Sequence, residues 1–450
     1  MNNSLLADFF SPDQTFVKAS APGRMDVMGG IADYSGSMVL QKTIKENTTV
    51  AIALRKDGLF QLKSLNTDKE DLMCTMVYQD LLKNGHEVDY TFAQLQFKKL
   101  KGGDWASYVV GCFLVLQKEK AIEVTGADIF IYSDIPTGKG VSSSAALEVA
   151  TMKALKELYQ LSFDHTQLSR LAQKVENLIV GAPCGLMDQL ASYFGESGKL
   201  LPILCQPDIV YQPLPIPPDI YFIGIDSGVR HSVGAASYGD VRTAAFMGYS
   251  MIAYQEGITP EELEQATEQR DFSLLPYKGY LANISPAEFE AKYALKLFYR
   301  MAGQYFVRFY NAHIDQVTKV DPEKFYAVLD CSRHPVYENF RAKTFMLLLQ
   351  YLSVTPDQTI RRQCLEQLGE LMYQSHSGYS ICGLGDAHTD ELVAMVKENK
   401  YKGVYGAKIT GGGSGGTVCI LCEGEEGLQT VRQIHQQYQE KYNKQVKLFE

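Results

Sequence analysis

The chain has one tryptophan in 450 residues, no long apolar run and no excess of positive charge. Its most apolar stretches, Tyr108 to Leu116 and Phe345 to Leu349, fall far short of the roughly 20 residues a bilayer-spanning helix needs. A net charge of −9 argues against a nucleic acid or an anionic membrane as the main partner. The opening Met-Asn-Asn-Ser-Leu-Leu-Ala-Asp-Phe-Phe has no basic lead-in, and its apolar run breaks too early for a secretory signal. A cytoplasmic protein is expected, a monomer or small homo-oligomer whose partners are small molecules.

A disulfide framework is missing too. The nine cysteines are scattered and odd in number, which suits reduced core thiols. Cys419 and Cys422 have CxxC spacing, but they fall in an expected β-strand, where positions three apart face opposite sides, and no second ligand pair accompanies them. His231, His334 and His376 lack metal-ligand spacing and read as structural or supporting groups. Internal repeats, low-complexity tracts and the GxxxxGK[ST] phosphate loop are all absent.

What remains is an ordinary globular composition, 46% apolar and 21% charged, in a chain long for one core. Two packed domains are expected, residues 1–205 and 206–450, with the proline-rich Gln212 to Pro218 as linker-like punctuation. Strands are expected at Phe16 to Ala19, Met38 to Leu40, Thr48 to Leu54, Ala127 to Ser133 and Thr417 to Leu421. Helices are expected from the serines near 143 to about Tyr159 and from His165 to Val180. Further helices are expected at Glu261 to Gln269, Glu288 to Asn311, Pro322 to Leu329, Arg341 to Leu352 and Asp357 to His376, with a polar helix at the end.

Three segments carry chemistry: Ala21-Pro-Gly-Arg-Met-Asp, Pro136-Thr-Gly-Lys-Gly-Val-Ser-Ser-Ser-Ala and Thr410-Gly-Gly-Gly-Ser-Gly-Gly. In the middle one a glycine turn enters three hydroxyls and then a strong helix former, so backbone N–H groups and the positive helix end can face phosphate. A simple N-cap accounts for one hydroxyl, not for three beside two glycines and a lysine. The last segment formally satisfies GxGxxG, but a strand follows it instead of a helix, which excludes a dinucleotide fingerprint. Asp188, in Cys184-Gly-Leu-Met-Asp-Gln, offers a carboxylate after a glycine-containing turn. Taken alone, such an aspartate is usually a solvated cap.

Together, in this order, the segments resemble the signature of the GHMP small-molecule kinases. Gly181-Ala-Pro-Cys-Gly-Leu-Met-Asp-Gln and Asp226-Ser-Gly-Val-Arg-His-Ser are similar to galactokinase segments, so the likeness runs from about Ala21 to Leu421. Within that branch, Gly23 to Ser37 and Tyr379 to Gly385 look most like L-arabinokinases. The resemblance implies an α+β, two-domain fold with the active site in the cleft between the domains. It places Pro136, Gly138, Lys139, Gly140, Val141, Ser142, Ser143 and Ser144 around ATP, with Gly412 and Gly413 in support and Trp105 beside the adenine. Ser144 and Glu176 would hold Mg2+. Asp188 would orient or deprotonate the sugar's anomeric hydroxyl beside Arg24, whose permanent charge serves both the aspartate and the phosphoryl oxygens.

The implied sugar contacts are Asp26, Gly30, Ile31, Asp33, Tyr34, Gly185 and Tyr238, the last followed by Arg242. Galactokinases typically read Gly-Arg-Val-Asn-Leu-Ile-Gly-Glu-His-Thr-Asp-Tyr here. This chain replaces the Glu-His pair, which lies by the C6 hydroxymethyl, with Gly30 and Ile31, and puts Asp26 in place of the asparagine. L-Arabinopyranose is D-galactopyranose without the hydroxymethyl, so the change suits a pentose. D-Galacturonate would want a cation nearby, and the first segment supplies only Arg24. The expected reaction is transfer of the ATP γ-phosphoryl group to O1 of L-arabinose. Ordinary galactokinase, galacturonokinase and a non-catalytic sugar and ATP sensor are the alternatives. Ser414 stands where galactokinases usually carry a bulkier residue.

Overall fold

Alternating apolar and β-branched residues build two long strands at the N-terminal side, β1 (Val17–Met28) and β2 (Met38–Leu54). The computed structural model of the chain describes residues 6–66, 71–229, 238–311 and 313–450. These fold into two units. The first holds the chain up to Arg24, Thr43–Thr137 and Ser142–Gly195; the second holds Met25–Lys42, Gly138–Val141 and Glu196–Glu450. No single cut separates them, because β1 and β2 each contribute to both.

In the first unit, β3 (Leu59–Asn66) lies between β4 (Asp71–Val77), antiparallel to it, and β5 (Ala127–Ser133), parallel to it. The second half of β2 pairs antiparallel with β5, Ile52 opposite Ile129. Packed with these strands are α1 (Tyr90–Lys99), α2 (Gly103–Lys120), α3 (Ser143–Leu158), α4 (His165–Lys174) and α5 (Met187–Phe194). Phe60, Leu62, Phe113, Met152 and Leu155 are fully buried in one apolar cluster, each contributing roughly 1.5–3 kcal/mol of burial. The helix expected from His165 to Val180 changes character at Val175, where one π-helical turn (Val175–Val180) begins. That wider turn presses against α2 at Gly111, where a Cβ would stand 2.7 Å from Val175. It also carries Glu176 inward, buried.

In the second unit the first half of β2 pairs with β6 (Lys199–Leu204), Val39 opposite Ile203. Two short strands, β7 (Ile209–Val210) and β8 (Leu214–Pro215), also pair with β6. The proline-rich stretch expected as a linker therefore supplies a strand in which proline's missing donor is tolerated at a sheet margin. The chain continues through β9 (Ile220–Asp226), α6 (Tyr238–Gln255), α7 (Pro260–Gln269) and α8 (Pro286–Lys292). Next come β10 (Met301–Ala302), α9 (Gly303–Tyr310), β11 (Phe325–Tyr326), α10 (Val328–Leu352), α11 (Gln358–Ile381) and α12 (Ala387–Glu398). Last are β12 (Val404–Ile409), β13 (Thr417–Glu423), α13 (Gly424–Tyr442) and β14 (Leu448–Phe449). An antiparallel sheet of order β12-β13-β9-β14 closes this end.

Tertiary contacts override local helix propensity in one region. The helix expected over Glu288 to Asn311 is split into α8 and α9 by β10, and the helix expected over Pro322 to Leu329 is absent. Met301 and Ala302 instead pair with Tyr326 and Phe325. Gly303 is packed so tightly that a Cβ would lie 2.0 Å from the Asp321 carbonyl. Conversely, the helix expected from Arg341 already starts at Val328 and includes Pro335. Among the described residues, no helix is long and apolar enough to cross a membrane. Among the described residues the cysteines form no disulfide. Cys419 and Cys422 lie buried in β13, their thiols pushed up to about 12 by burial, so neither is a reactive thiolate.

Candidate active site

The catalytic candidates meet in the first unit. Arg24, on β1, grips Asp188, the second residue of α5, with a fork: Nε and Nη2 lie 2.9 and 2.8 Å from Oδ1, and Nη2 lies 2.8 Å from Oδ2. The arginine side chain is 3% exposed and the aspartate 21%, so the pair is anchored on one side and accessible on the other. Charge-assisted forks of this kind fix orientation as well as energy. Ser142 adds a further bond, donating from Oγ to Asp188 Oδ2 at 2.6 Å. Ser142 makes no side-chain cap bond to α3 and sits at φ 58°, a left-handed conformation that turns its hydroxyl to the aspartate.

Below this pair lie two buried carboxylates bridged by one amide. Gln189 Nε2 donates to Glu148 Oε2 at 3.1 Å and to Glu176 Oε2 at 2.8 Å. Burial and the charge of Asp188 push Glu176 up to about 7, against hydrogen bonds from Ser144, Cys184 and Gln189. Burial and the charge of Glu176 raise Glu148 well above its ordinary range, and its Oε1 has no partner among the described residues. Among the described residues no three His, Cys, Asp or Glu side chains form a metal cage by themselves. A hydroxyl and a carboxylate in a cluster starved of positive charge nonetheless suit Mg2+, which takes most of its ligands from water and phosphate.

Trp105 projects from the first turns of α2, half-buried against the core. It borders a cavity of about 310 Å3 with Gln94, Phe97, Tyr108, Ile179 and Val180. Three aromatic residues, Phe97, Trp105 and Tyr108, are thus among its lining. Gly185 lies in the irregular segment between the π-helical turn and α5.

In the second unit two glycine segments some 270 residues apart touch backbone to backbone. Gly138 and Gly140 adopt φ of 69° and 71° in the turn after the buried Pro136, and Gly411, Gly413 and Gly416 adopt φ of 75°, 81° and 83° in the hairpin loop between β12 and β13. A Cβ on Gly411 would stand 2.7 Å from the Gly140 carbonyl, and one on Gly416 3.0 Å from the Lys139 carbonyl. Thr417 Oγ1 donates to that same carbonyl at 2.8 Å. The loop thus braces the turn, with Gly412 beside the contact. Ser414, itself at φ 55°, donates its N–H to the Leu384 carbonyl at 2.7 Å. Lys139 Nζ lies 3.0 Å from Asp226. Val141 is buried, while Ser143 and Ser144 open α3 partly exposed. The chain passes between the units at Arg24/Met25 and at Val141/Ser142, so both motifs supply residues to each.

The segment from Asp26 to Ser35 is held from behind. Asp26 is fully buried. Its Oδ2 accepts from Lys408 Nζ at 2.6 Å and from Gly30 N at 3.1 Å, its Oδ1 accepts from Gln41 at 2.7 Å, and its own N–H donates to Thr410 Oγ1 at 2.6 Å. Asp26, expected among the sugar contacts, is thus an organiser of the loop. Gly29 N donates to Glu338 Oε1 at 2.9 Å, and His334 Nε2 lies 3.1 Å from the Gly30 carbonyl. Glu338 also accepts from Ser375 at 2.7 Å and from Arg341 at 2.7 Å. Gly30 itself has no room for a side chain. A Cβ there would fall 1.9 Å from the Tyr379 hydroxyl and 2.4 Å from Asp26 Oδ2. Ile31, at φ 52° and 0% exposed, packs into the apolar cluster of this unit, so its influence on a ligand acts through packing behind Gly30.

Asp33 and Tyr34 form a short 3-10 turn. Tyr238 donates to Asp33 Oδ1 at 3.3 Å, its ring meets Tyr34 edge-on at 5.6 Å, and the Arg242 guanidinium lies 5.7 Å from the Tyr34 ring centre. Arg242 is fixed in turn by Asp315 at 2.7 and 2.8 Å. His376 is structural, with Nε2 3.0 Å from Asp390. His231, with Arg230 and Ser232, lies outside the described residues. Lys408, Gln41 and Glu338 were not singled out by the sequence, and Tyr379 entered only as the first residue of a family-like segment with no contact assigned. A lysine within the otherwise apolar Val404–Ile409 strand was the available signal for the first of them.

The family described as GHMP kinases N terminal domain matches residues 107–196, and GHMP kinases C terminal matches residues 358–444. The L-arabinokinase of Arabidopsis thaliana is 42% identical over 94% of this chain, which spans only 44% of the plant protein. The galactokinase of Chloroflexus aggregans is 28% identical over 91% of this chain and 84% of its own length. The crystal structure of Lactococcus lactis galactokinase complexed with galactose shares the fold, with TM-score 0.73 at 22% identity, covering 99% of this chain and 95% of that one. With both models matched in N-to-C order, the chain carries the N-terminal and C-terminal domains of the GHMP kinases.

Proposed function

We propose that the protein is an ATP-dependent sugar 1-kinase whose substrate is L-arabinose, giving L-arabinose 1-phosphate and ADP. The observation that carries the sugar choice is the filled space at Gly30. Where the galactokinase signature has a glutamate, the Tyr379 hydroxyl and the Asp26 carboxylate already occupy the position of its first side-chain atom. A hydroxymethyl group at C6 thereby loses a polar partner. Discrimination built on one such group amounts to a few kcal/mol at most. D-Galactose is the second reading, favoured by Asp33, Tyr34 and Tyr238, which keep the galactokinase pattern.

Asp188 is the group for the anomeric hydroxyl. The Arg24 fork fixes its plane, and the Ser142 hydroxyl is the donor that can yield its place to the sugar O1–H. Asp188 would then hold that hydroxyl in line with the γ-phosphate and take its proton as the O–P bond forms. Arg24, positive throughout, balances the aspartate and the transferring phosphoryl group. The 138–144 turn would receive the phosphates on backbone N–H groups, and Trp105 would line the adenine. Ser144 and Glu176 would hold Mg2+, whose contribution when bound is neutralisation of phosphate charge.

The test is ADP release from Mg-ATP with L-arabinose, D-galactose, D-galacturonate or no sugar. Release that depends on arabinose and exceeds release with galactose supports the reading. Preference for galactose replaces it with the second reading, and silence with all three sugars removes the kinase assignment.

A further inference from the structure

Lys139 is held at both ends. Its carbonyl accepts from Thr417 Oγ1 at 2.8 Å, and its ammonium lies 3.0 Å from Asp226 Oδ2. Thr417 opens β13 and Asp226 closes β9, and the two stand directly opposite in the antiparallel pairing of those strands. One residue of the 138–141 turn therefore grips the end rung of a ladder, its backbone on one strand and its side chain on the other.

Both anchors are fixed in their turn. Asp226 Oδ1 accepts from Gly228 N at 2.8 Å, and the Asp226 N–H donates to the Lys447 carbonyl at 2.9 Å. The Thr417 carbonyl accepts from Thr410 N at 2.9 Å, and Ser227 N donates to the Gly416 carbonyl at 2.8 Å. The close glycine contacts limit how near the turn and the glycine loop come, as a Cβ on Gly140 would lie 2.9 Å from the Thr410 carbonyl. Such contacts carry no direction. The Thr417 hydroxyl and the ion pair supply it.

A lysine between two glycines in a turn invites the reading of a direct phosphate ligand. The ion pair opposes that reading. The Lys139 side chain is 16% exposed and that of Asp226 7%. Drawing the ammonium away to a phosphate would leave the Asp226 carboxylate buried without its cation, which is strongly unfavourable.

We infer that Asp226 and Lys139 are positioning residues for the nucleotide: their ion pair, with the Thr417 hydroxyl, orients the backbone N–H groups of the 138–141 turn, and the ammonium itself does not bind phosphate. The inference rests on the reading of this turn as the phosphate cradle. Backbone donors in such a turn bind an anion only when they converge on it, so a turn released from β9 keeps its sequence and loses affinity. The sugar loop has its own supports at Asp26 and Glu338 and should not respond.

The experiment is calorimetric titration of the whole protein, without sugar, with Mg2+ and the β,γ-imido analogue of ATP. The proteins are the parent, Asp226→Asn, Lys139→Met, Lys139→Arg, Thr417→Val and the double variant Asp226→Asn/Lys139→Met. Asparagine keeps an acceptor for Gly228 N and removes the charge that holds the ammonium; valine keeps the branched shape of Thr417 and removes its hydroxyl. Affinity is expected to fall at least fivefold in Asp226→Asn and in Lys139→Met, no further in the double variant, and at least twofold in Thr417→Val. Lys139→Arg, which can keep the ion pair, should stay within threefold of the parent. In steady-state kinetics ATP KM should rise while sugar KM holds within twofold. Tighter binding by Asp226→Asn beside weaker binding by Lys139→Met would make the lysine a phosphate ligand and overturn the proposal. Unchanged affinity in both variants, or losses that add in the double variant, would overturn it as well. Should Asp226→Asn fail to fold, Thr417→Val and the contrast between Lys139→Met and Lys139→Arg decide by the same thresholds. A parent that binds no analogue removes the ATP reading and this role with it, whereas a parent that binds and is matched by its variants removes only the role.

Discussion

Asp188 and Asp26 are each paired with one cation, yet the pairs differ in nearly everything else. Arg24–Asp188 retains an accessible edge, with 21% of the aspartate side chain exposed, whereas Lys408 and Asp26 are both 0% exposed. The first carboxylate spends its bonds on a fork and one hydroxyl that can be exchanged for substrate. The second spends them on Lys408, Gln41 and the Gly30 N–H. A carboxylate in a signature segment is therefore not a ligand contact by position alone. What it touches and whether anything else can reach it decide between chemistry and scaffold.

The largest effect that would sharpen this contrast is on turnover. Asp188→Asn is expected to lower kcat by about 10³-fold, within the range for loss of a positioned acid–base group. Calorimetric nucleotide affinity should stay close to that of the parent. Substantial residual turnover would strip Asp188 of its role.

Breaking the buried pair should act on the fold instead. Lys408→Met leaves Asp26 buried without its cation, and about 3–5 kcal/mol of stability should be lost in urea unfolding. The double variant Asp26→Leu/Lys408→Met should recover part of that loss, as the unpaired charge is gone. If Lys408→Met melts like the parent and only kcat falls, the contrast between the two pairs fails.

A smaller effect is expected at Gly30. Gly30→Ala drives a methyl into the Tyr379 hydroxyl, at a cost of about 1–3 kcal/mol for overpacking. Sugar KM should rise while ATP KM holds. Adding Tyr379→Phe should return part of the stability, since the oxygen nearest the new methyl is removed.

The smallest effect is a pH dependence. Burial and Asp188 raise Glu176 from its unfolded value of 4.5 to about 7. Between those values the folded protein holds a proton that the unfolded chain has released, so stability from this group is full below pH 4.5 and falls as pH rises through 7. Melting curves in EDTA should therefore differ in slope between the parent and Glu176→Gln over that window, the variant being flatter. Excess Mg2+ and nucleotide should reduce the difference.

The half of the candidate site around Arg24 and Asp188 was legible as segments because its glycines, hydroxyls and charged residues stand in compact motifs, which the structure brings together. The supporting half was not, because its members come from remote elements. Tyr379 reaches Gly30 across some 350 residues of sequence, and Glu338 reaches Gly29 from a separation of 309. Ser142, expected around ATP, is a partner of Asp188, a contact that depends on one positive φ. The helix at Ser143 followed from local pattern, whereas β1 and β2 run longer than the short strands expected at Phe16 to Ala19, Met38 to Leu40 and Thr48 to Leu54. The region from Glu288 to Leu329 did not follow, since pairing of Met301–Ala302 with Phe325–Tyr326 decides its structure, and no local pattern records that pairing.

The bond between Asp26 and Lys408 joins residues 382 positions apart. At a synthesis rate of roughly 5–20 residues per second, the first partner waits about 20–80 s for the second to leave the ribosome. Throughout that interval the Asp26 carboxylate must stay hydrated, and Gly140 has no glycine loop to rest against. The N-terminal piece of the second unit is thus a late-committing element in a chain whose first unit is already complete in sequence at Gly195. Truncation ahead of β12 should consequently disable a loop near the other end of the chain, an infirmity transmitted through a single ammonium group.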